Sequence, residues 1–305
     1  MNLKEIEYFV KIAEEKNVTR AAEKLFITPS ALNQQLLNLE RDLETPLFFR
    51  ARGGWTLTEA GEIYLAAARE MLKLKSDTYH KLQDVIQAKK GTLSIGIPPE
   101  RGSKMFTHVY PVFHAEYPHI VIKVVEKSVK KQQQLISKGE LDLGFMTLRN
   151  IQKTEDEYID ICFEELVLIL PKSHPLCEKA SIGTGHYPEL DISLLKDEPF
   201  ALMHRESTIF EHVELIFRQA GIIPNILFET SRANTIIDIV AAGMCCGIIP
   251  DHDSLSHRDE IAFFLLPDHP SWKIMASYKK GSYLSKPARR FIELAVEYWK
   301  NSLNR

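Results

Sequence analysis

Between Thr58 and Ala88 the chain contains no proline and a single glycine, Gly61, in what would be the first turn of a helix. Ala60, Tyr64, Ala67, Met71, Leu74, Thr78, Leu82 and Val85 recur across it at near-helical spacing. A helix of that length spans roughly 45 Å at 1.5 Å per residue. The segment before it is too short to bury it. The stretch therefore predicts packing on a second copy of itself, a coiled-coil-like dimer linker. The alternative is a long helix lying across the surface of a domain.

The preceding residues read as short helices and one hairpin. Leu3, Ile6, Phe9, Val10 and Ala13 mark an amphipathic helix that Asn17-Val18-Thr19 interrupts. Thr19 is the expected cap of a second helix, from Arg20 to about Leu25. Thr28 and Pro29 open a third, as N-cap and first helical residue, running to about Leu43. Leu32, Leu36, Leu39 and Leu43 form its apolar stripe, while Ser30 and Gln34 point away, flanked by Ala31, Asn33 and Asn38. A merely solvated face carries Lys and Glu; hydroxyl and amide groups at a helix start suit base edges and phosphates. Pro46–Arg50 and Trp55–Leu57 then flank a Gly53-Gly54 turn, with Arg50 and Arg52 at its tip. The whole predicts a winged helix-turn-helix, its third helix in the major groove and its wing on the DNA backbone.

At Lys89-Lys90-Gly91 the texture changes to alternating strand and helix patterns. Strands are expected at Thr92–Ile97, Ile120–Glu126 and Leu141–Met146, with helices at Ser103–Tyr117 and Val129–Lys138 between them. After a crossing at Ile161–Pro171 the alternation repeats, from Phe200 to Ile249. Strands near Ile261–Leu266 and Trp272–Tyr278 and a helix from Lys286 to about Leu303 close the chain. Two α/β lobes in tandem, joined by extended crossings, leave a cleft at the carboxyl ends of their strands. The fold class is α/β: an N-terminal winged helix-turn-helix, a long linker helix, then two lobes. The domains are expected at 1–58, 59–90 and 91–305, with lobe I at 91–161 and 268–305 and lobe II at 162–267.

Hydrophobic residues make up 45% of the 305 residues and charged residues 26%, which excludes a disordered, collagen-like or disulfide-scaffold chain. No apolar run is long enough to span a membrane, and the acidic start Met1-Asn2-Leu3-Lys4-Glu5 is unlike a secretory signal, so a cytoplasmic protein is expected. The net charge of −3 does not advertise a nucleic-acid partner. Cys162, Cys177, Cys245 and Cys246 fit no metal spacing and are expected to be reduced and mostly buried. Enzyme motifs are missing or incomplete. His114-Ala115-Glu116 lacks the P-C-x-x-C that completes a zinc deaminase, and Asp251-His252-Asp253 lacks the glycine and closing glutamate of a calcium loop. No metal, cofactor or catalytic residue is expected.

With these motifs in register, the chain resembles the LysR-type transcriptional regulators over essentially its full length. The match is carried by Thr19-Arg20-Ala21-Ala22-Glu23-Lys24-Leu25, Thr28-Pro29-Ser30-Ala31-Leu32-Asn33-Gln34-Gln35-Leu36, Leu57-Thr58-Glu59-Ala60-Gly61, Gly91-Thr92-Leu93-Ser94-Ile95-Gly96, Gly139-Glu140-Leu141-Asp142-Leu143-Gly144 and Ala242-Gly243-Met244-Cys245-Cys246-Gly247. The resemblance implies an effector domain similar to type 2 periplasmic binding proteins. It implies homodimers pairing into a homotetramer, binding to double-stranded promoter DNA, and RNA polymerase as a further partner. It also implies a small-molecule co-inducer held between the lobes.

Carried over by position, Thr28, Pro29, Ser30, Ala31, Asn33 and Gln34 meet DNA from the recognition helix, Arg20 from the second helix, and Arg50 and Arg52 from the wing. Leu37 and Asn38 stand where the family often has basic residues, and residues 1–58 hold as many acids as bases, so fewer phosphate contacts are expected. Leu37 is either a thymine-methyl contact or a packing residue, and packing is the expectation. The effector is expected to meet Glu100, Arg101, Ser103, Ser128 and Thr147 in one lobe and Met203, His204, Glu206, Thr230 and Ser231 in the other. An anionic metabolite is the default ligand. Glu100 and Glu206 stand near the mouth: each repels an anion, pairs with an amine or Arg101, or is simply solvated. Two other functions fit parts of the chain: a thiol-based redox-sensing regulator of the same family, and a solute-binding protein.

Overall fold

The computed structural model describes residues 2–51, 54–85, 90–178, 187–251 and 259–303. Arg52 and Gly53, expected at the hairpin tip and turn, lie outside them, as do His252 and Asp253, while Gly54, also expected in the turn, is a strand residue. The chain divides into two compact units, Met1–Ala88 and Lys89–Arg305.

The first unit begins with α1 (Leu3–Glu15), whose N-cap Asn2 accepts from the Lys4 and Glu5 amides while Glu5 reaches back to the Asn2 amide. Helix α2 (Val18–Leu25) starts earlier than the sequence suggests. Its cap is Asn17, whose side chain accepts from the Arg20 amide, and Thr19 lies inside the helix. Asparagine's carbonyl caps as well as a threonine hydroxyl, and the interrupting tripeptide leaves either choice open to local reading. Helix α3 (Pro29–Asp42) is capped by Thr28 with Pro29 in its first turn, as the residues predict. Strands β1 (Phe48–Ala51) and β2 (Gly54–Leu57) pair antiparallel as the wing. Helix α4 (Glu59–Val85) follows.

Ile6, Phe9, Ile12, Ala21, Ala22, Leu32, Leu36, Leu47, Phe48 and Ala68 form this unit's core. The two alanines of α2 are wholly buried, so α2 packs through small side chains. Leu43, expected on the α3 stripe, is 40% exposed because α3 ends before it. Along α4, Ile63, Leu74, Tyr79 and Leu82 are more than half exposed.

The second unit is one continuous sheet system with buried apolar clusters on two lobes, two clusters to each. On one side β3 (Lys90–Ile97) lies parallel to β4 (His119–Glu126) and β5 (Leu143–Leu148), with α5 (Arg101–Glu116) and α6 (Val129–Ser137) as crossovers. On the other side β7 (Pro199–Met203) lies parallel to β8 (Asn225–Thr230) and β9 (Cys246–Pro250), joined by α7 (Thr208–Gln219) and α8 (Ala233–Ala241). The long strand β6 (Glu157–Pro171) ties the halves. Its first part pairs antiparallel with β11 (Ser271–Tyr278), and from Leu166 it pairs with β9 and, from Val167, with β10 (Ile261–Leu265). The expected lobe boundary after residue 161 therefore falls inside β6, and the partner change comes at Glu165 and Leu166. Helix α9 (Lys286–Leu303) packs on α5. Phe113, Phe145 and Phe291 belong to the larger cluster of lobe I, and Phe200, Phe217 and Phe264 to the larger cluster of lobe II.

Candidate functional site

In the first unit, the start of α3 presents Thr28, Pro29, Ser30, Ala31 and Gln34 to solvent, with Asn33 half-buried beside them and Arg20 exposed on α2. The Thr28 hydroxyl accepts from the Ala31 amide at 3.2 Å, and the Gln34 side-chain amide donates to Asn38 at 3.1 Å. The face is therefore polar, pre-organised and without cations of its own. Leu37 is 38% exposed and outside the core, so the expectation that it packs is corrected: at 100° per residue it stands on the polar face, about 20° round from Ser30. Phe26, 95% exposed in a left-handed conformation at the turn before α3, was given no role by the sequence. Its exposure depends on the αL cap that closes α2.

The wing arginine is not free. Arg50 meets Glu40 at 2.5 Å and lies over the Trp55 ring, 5.0 Å from its centroid. The other Glu40 oxygen accepts from the Leu47 and Phe48 amides at 2.8 and 3.3 Å. Glu40 thus joins α3 to the wing.

In the second unit a cavity of about 410 Å³ opens between the lobes. Of the expected effector residues, Glu100, Arg101, Ser128, Thr147, Met203, His204, Glu206 and Ser231 line it. Two do not. The Ser103 hydroxyl turns to Glu126 at 2.6 Å, because one turn into α5 it points along the β4 side. Thr230 is held at the end of β8, its hydroxyl accepting from the Arg232 amide and its carbonyl from the His204 amide. The residues Ser207, Thr208, Ile209, Ala233 and Trp272 also line the cavity. Ser207 caps α7 by accepting from the Phe210 amide, and a Ser-Thr pair before an apolar run is a signal that finds it. Trp272 carries no such local signal.

The floor is an ion pair withdrawn from water. The Arg101 guanidinium donates to Glu164 at 2.6 Å, and the Trp272 indole N–H donates to its other oxygen at 2.8 Å. The Arg101 side chain is 10% exposed and that of Glu164 fully buried. Direct bonds also cross between the lobes. Thr208 donates to the Thr147 carbonyl at 2.8 Å, Lys130 and Gln152 both donate to Glu211 at 2.7 and 2.6 Å, and the Ala233 amide donates to Glu100 at 2.9 Å. Lys130 beside it holds the Glu211 carboxyl below its ordinary range. Glu100 is thus no solvated loop acid.

All four cysteines are free. Burial raises every one of their pKa values, pushing Cys162 and Cys246 up to about 12. Thiols held protonated react poorly with oxidants. Among the described residues no cluster of three or more His, Cys, Asp or Glu is arranged to hold a metal, and no helix is long and apolar enough to cross a membrane.

Residues 3–62 match the family model described as bacterial regulatory helix-turn-helix protein, lysR family, and residues 87–300 match that of the LysR substrate binding domain. An uncharacterized HTH-type transcriptional regulator of Bacillus subtilis, YcgK, is 30% identical over 100% of this chain and 97% of its own. The Hca operon transcriptional activator HcaR of Escherichia coli is 28% identical over 97% of this chain and 98% of its own. Among solved structures, a full-length OxyR cysteine variant from Pseudomonas aeruginosa superposes with a TM-score of 0.70 at 24% identity, covering 97% of this chain and 94% of that one. Full-length CbnR complexed with its target DNA gives 0.56 at 22%, covering 99% and 100%.

Proposed function

Because the chain belongs to the LysR family of bacterial transcriptional regulators, we propose that it binds promoter DNA through residues 1–58, dimerises through residues 59–90, and answers to a small molecule held between the lobes of residues 91–305. The observation that carries the effector reading is the cavity of about 410 Å³ whose walls come from both lobes. A ligand there touches both walls at once, so it binds open and closed arrangements with different affinity and shifts their balance. The polar, exposed start of α3 supports base readout from Thr28, Ser30 and Gln34. Arg20 and Arg50 supply backbone contacts, Arg50 after leaving Glu40. The exposed apolar residues of α4 support its pairing with a second copy, and the proposal includes such dimers pairing into a tetramer. The protein acts in the cytoplasm, where promoter DNA lies, and it is a regulator rather than an enzyme.

The redox alternative gains no support from the thiols, which burial keeps protonated. The test is DNA footprinting of the full chain against a panel of central and aromatic metabolites. A metabolite that lengthens or shortens the footprint, and that raises the melting temperature, supports the reading. A footprint indifferent to the whole panel sinks the effector role and leaves the DNA-binding role standing. Gln34→Ala tests the latter: it should lose roughly 1–3 kcal/mol of sequence discrimination with the fold intact. An unchanged site preference would remove α3 from base readout.

A further inference from the structure

We infer that Glu100 is the specificity-determining residue of the cleft: its carboxylate takes the anion position at the start of α8 from the opposite lobe, so the cleft selects a ligand that is neutral or amine-bearing at that end over one with a second acidic group there. This rests on reading the cavity as the effector site.

Three observations meet at this residue. First, the Ala233 amide, the first of α8, donates to Glu100 Oε2 at 2.9 Å, and Ala233 lies 133 residues further along the chain, across the cleft. Second, α8 has no cap of its own. Its N-cap position is held by Arg232, which makes no side-chain capping bond and whose guanidinium has no acceptor to offer. Glu100 supplies the missing acceptor and sets a negative charge at the positive end of the helix. Third, Glu100 is the N-cap of α5 by position but makes no side-chain capping bond to that helix. Its backbone sits at φ 63°, ψ −71°, with the Arg101 amide bonded to the Pro99 carbonyl at 2.8 Å. That is the strained γ-turn, which glycine enters with least cost. A glutamate there bears the strain and sends its carboxylate across the cleft.

The charges around the cavity point the same way. Glu100 and Glu206 line it, and the lining guanidinium, Arg101, is bonded to the buried Glu164. A ligand's second carboxylate would have to expel Glu100 from α8 and then lie beside it. An amide or ammonium at that end lies beside the carboxylate favourably.

The test uses the full chain, with succinate as a two-carboxylate probe and succinamate as the probe in which one end is neutral. Binding is measured by calorimetry in the wild type, Glu100→Gly and Glu100→Gln. Glycine suits the backbone at this position, so Glu100→Gly is expected to fold, and its melt checks that. Succinate should bind Glu100→Gly at least tenfold more tightly than the wild type, with Glu100→Gln between, while succinamate gains less than threefold. In parallel, hydrogen exchange at the Ala233 amide should speed up in Glu100→Gly. Equal gains for both probes would mean that the substitution opens space rather than removing charge, and would overturn the proposal. No gain for succinate, including no detectable binding in either form, also overturns it. These outcomes are comparisons of variant with wild type. The effector reading fails on a different result, the indifference of the wild-type footprint to every metabolite.

Discussion

Arg101 and Glu164 meet at 2.6 Å in the floor of the cleft, and Trp272 bonds the same carboxylate from the far side. The pair joins the first turn of α5 to the middle of β6, where that strand changes lobe. Removing one partner leaves the other charge buried. Glu164→Gln and Arg101→Met are each expected to cost about 3–5 kcal/mol, and the double variant less than the sum of the two. Urea unfolding of the three proteins measures this. Strict additivity would mean the two charges are solvated independently.

Glu40 is expected to matter more than a surface acid on a helix ordinarily would. Its carboxylate accepts from two backbone amides of the wing and pairs with Arg50. Glu40→Ala strands those half-buried amides and should lower stability by about 1–3 kcal/mol, with Glu40→Gln losing less because one acceptor remains. Thermal melts decide it. Equal stability of all three proteins would show that water replaces the carboxylate at no cost.

Gly61 lies in the first turn of α4, where alanine would ordinarily gain about 1 kcal/mol of helix propensity. Here an added Cβ would stand 2.1 Å from the Leu47 carbonyl oxygen. Gly61→Ala is therefore expected to destabilise the first unit in spite of its propensity. A rise in melting temperature would contradict the close approach of α4 to the strand entry.

His212 sets a pH dependence. Burial, with Arg149 adding to it, holds its pKa down to about 4, against 6.5 in an unfolded chain, and its Nδ1 has no hydrogen-bond partner among the described residues. The unfolded state binds the extra proton between those values, so stability should rise with pH from about 4 to 6.5 and level off above. Glu211, whose pKa is lowered by Lys130, acts in the same direction at the acid end, since its contribution is lost as pH falls through its folded pKa. His212→Leu should remove about 2–3 kcal/mol of that rise. The slope of unfolding free energy against pH is the readout, and an unchanged slope would mean that His212 takes its proton in the folded state as readily as in water.

What local chemistry could decide was legible in the residues. Thr28-Pro29 opened α3, the runs ending at Arg50 and starting at Trp55 marked the wing strands, and the switch from helical to alternating periodicity at Lys89-Lys90-Gly91 marked the start of the sheet system. Helix starts were legible too, because capping depends on residues within a few positions of one another, and even there Asn17 displaced Thr19. Eight of the ten expected effector residues do line the cavity, since in such sheets the ligand end of each strand is also the start of the next helix. The partners of those residues did not follow. Arg101 binds Glu164, Ser103 turns to Glu126 and Glu100 caps a helix of the other lobe. Each of these bonds joins residues far apart in the chain. Their existence depends on how two lobes and several strands come together, and no window of sequence contains both ends. The amino-acid order by itself determined the elements, their alternation and the polar face of α3. Only the tertiary structure decided which charges are neutralised, which carboxylate occupies the start of α8, and hence what the cleft can accept, because electrostatic partners are chosen by distance in space.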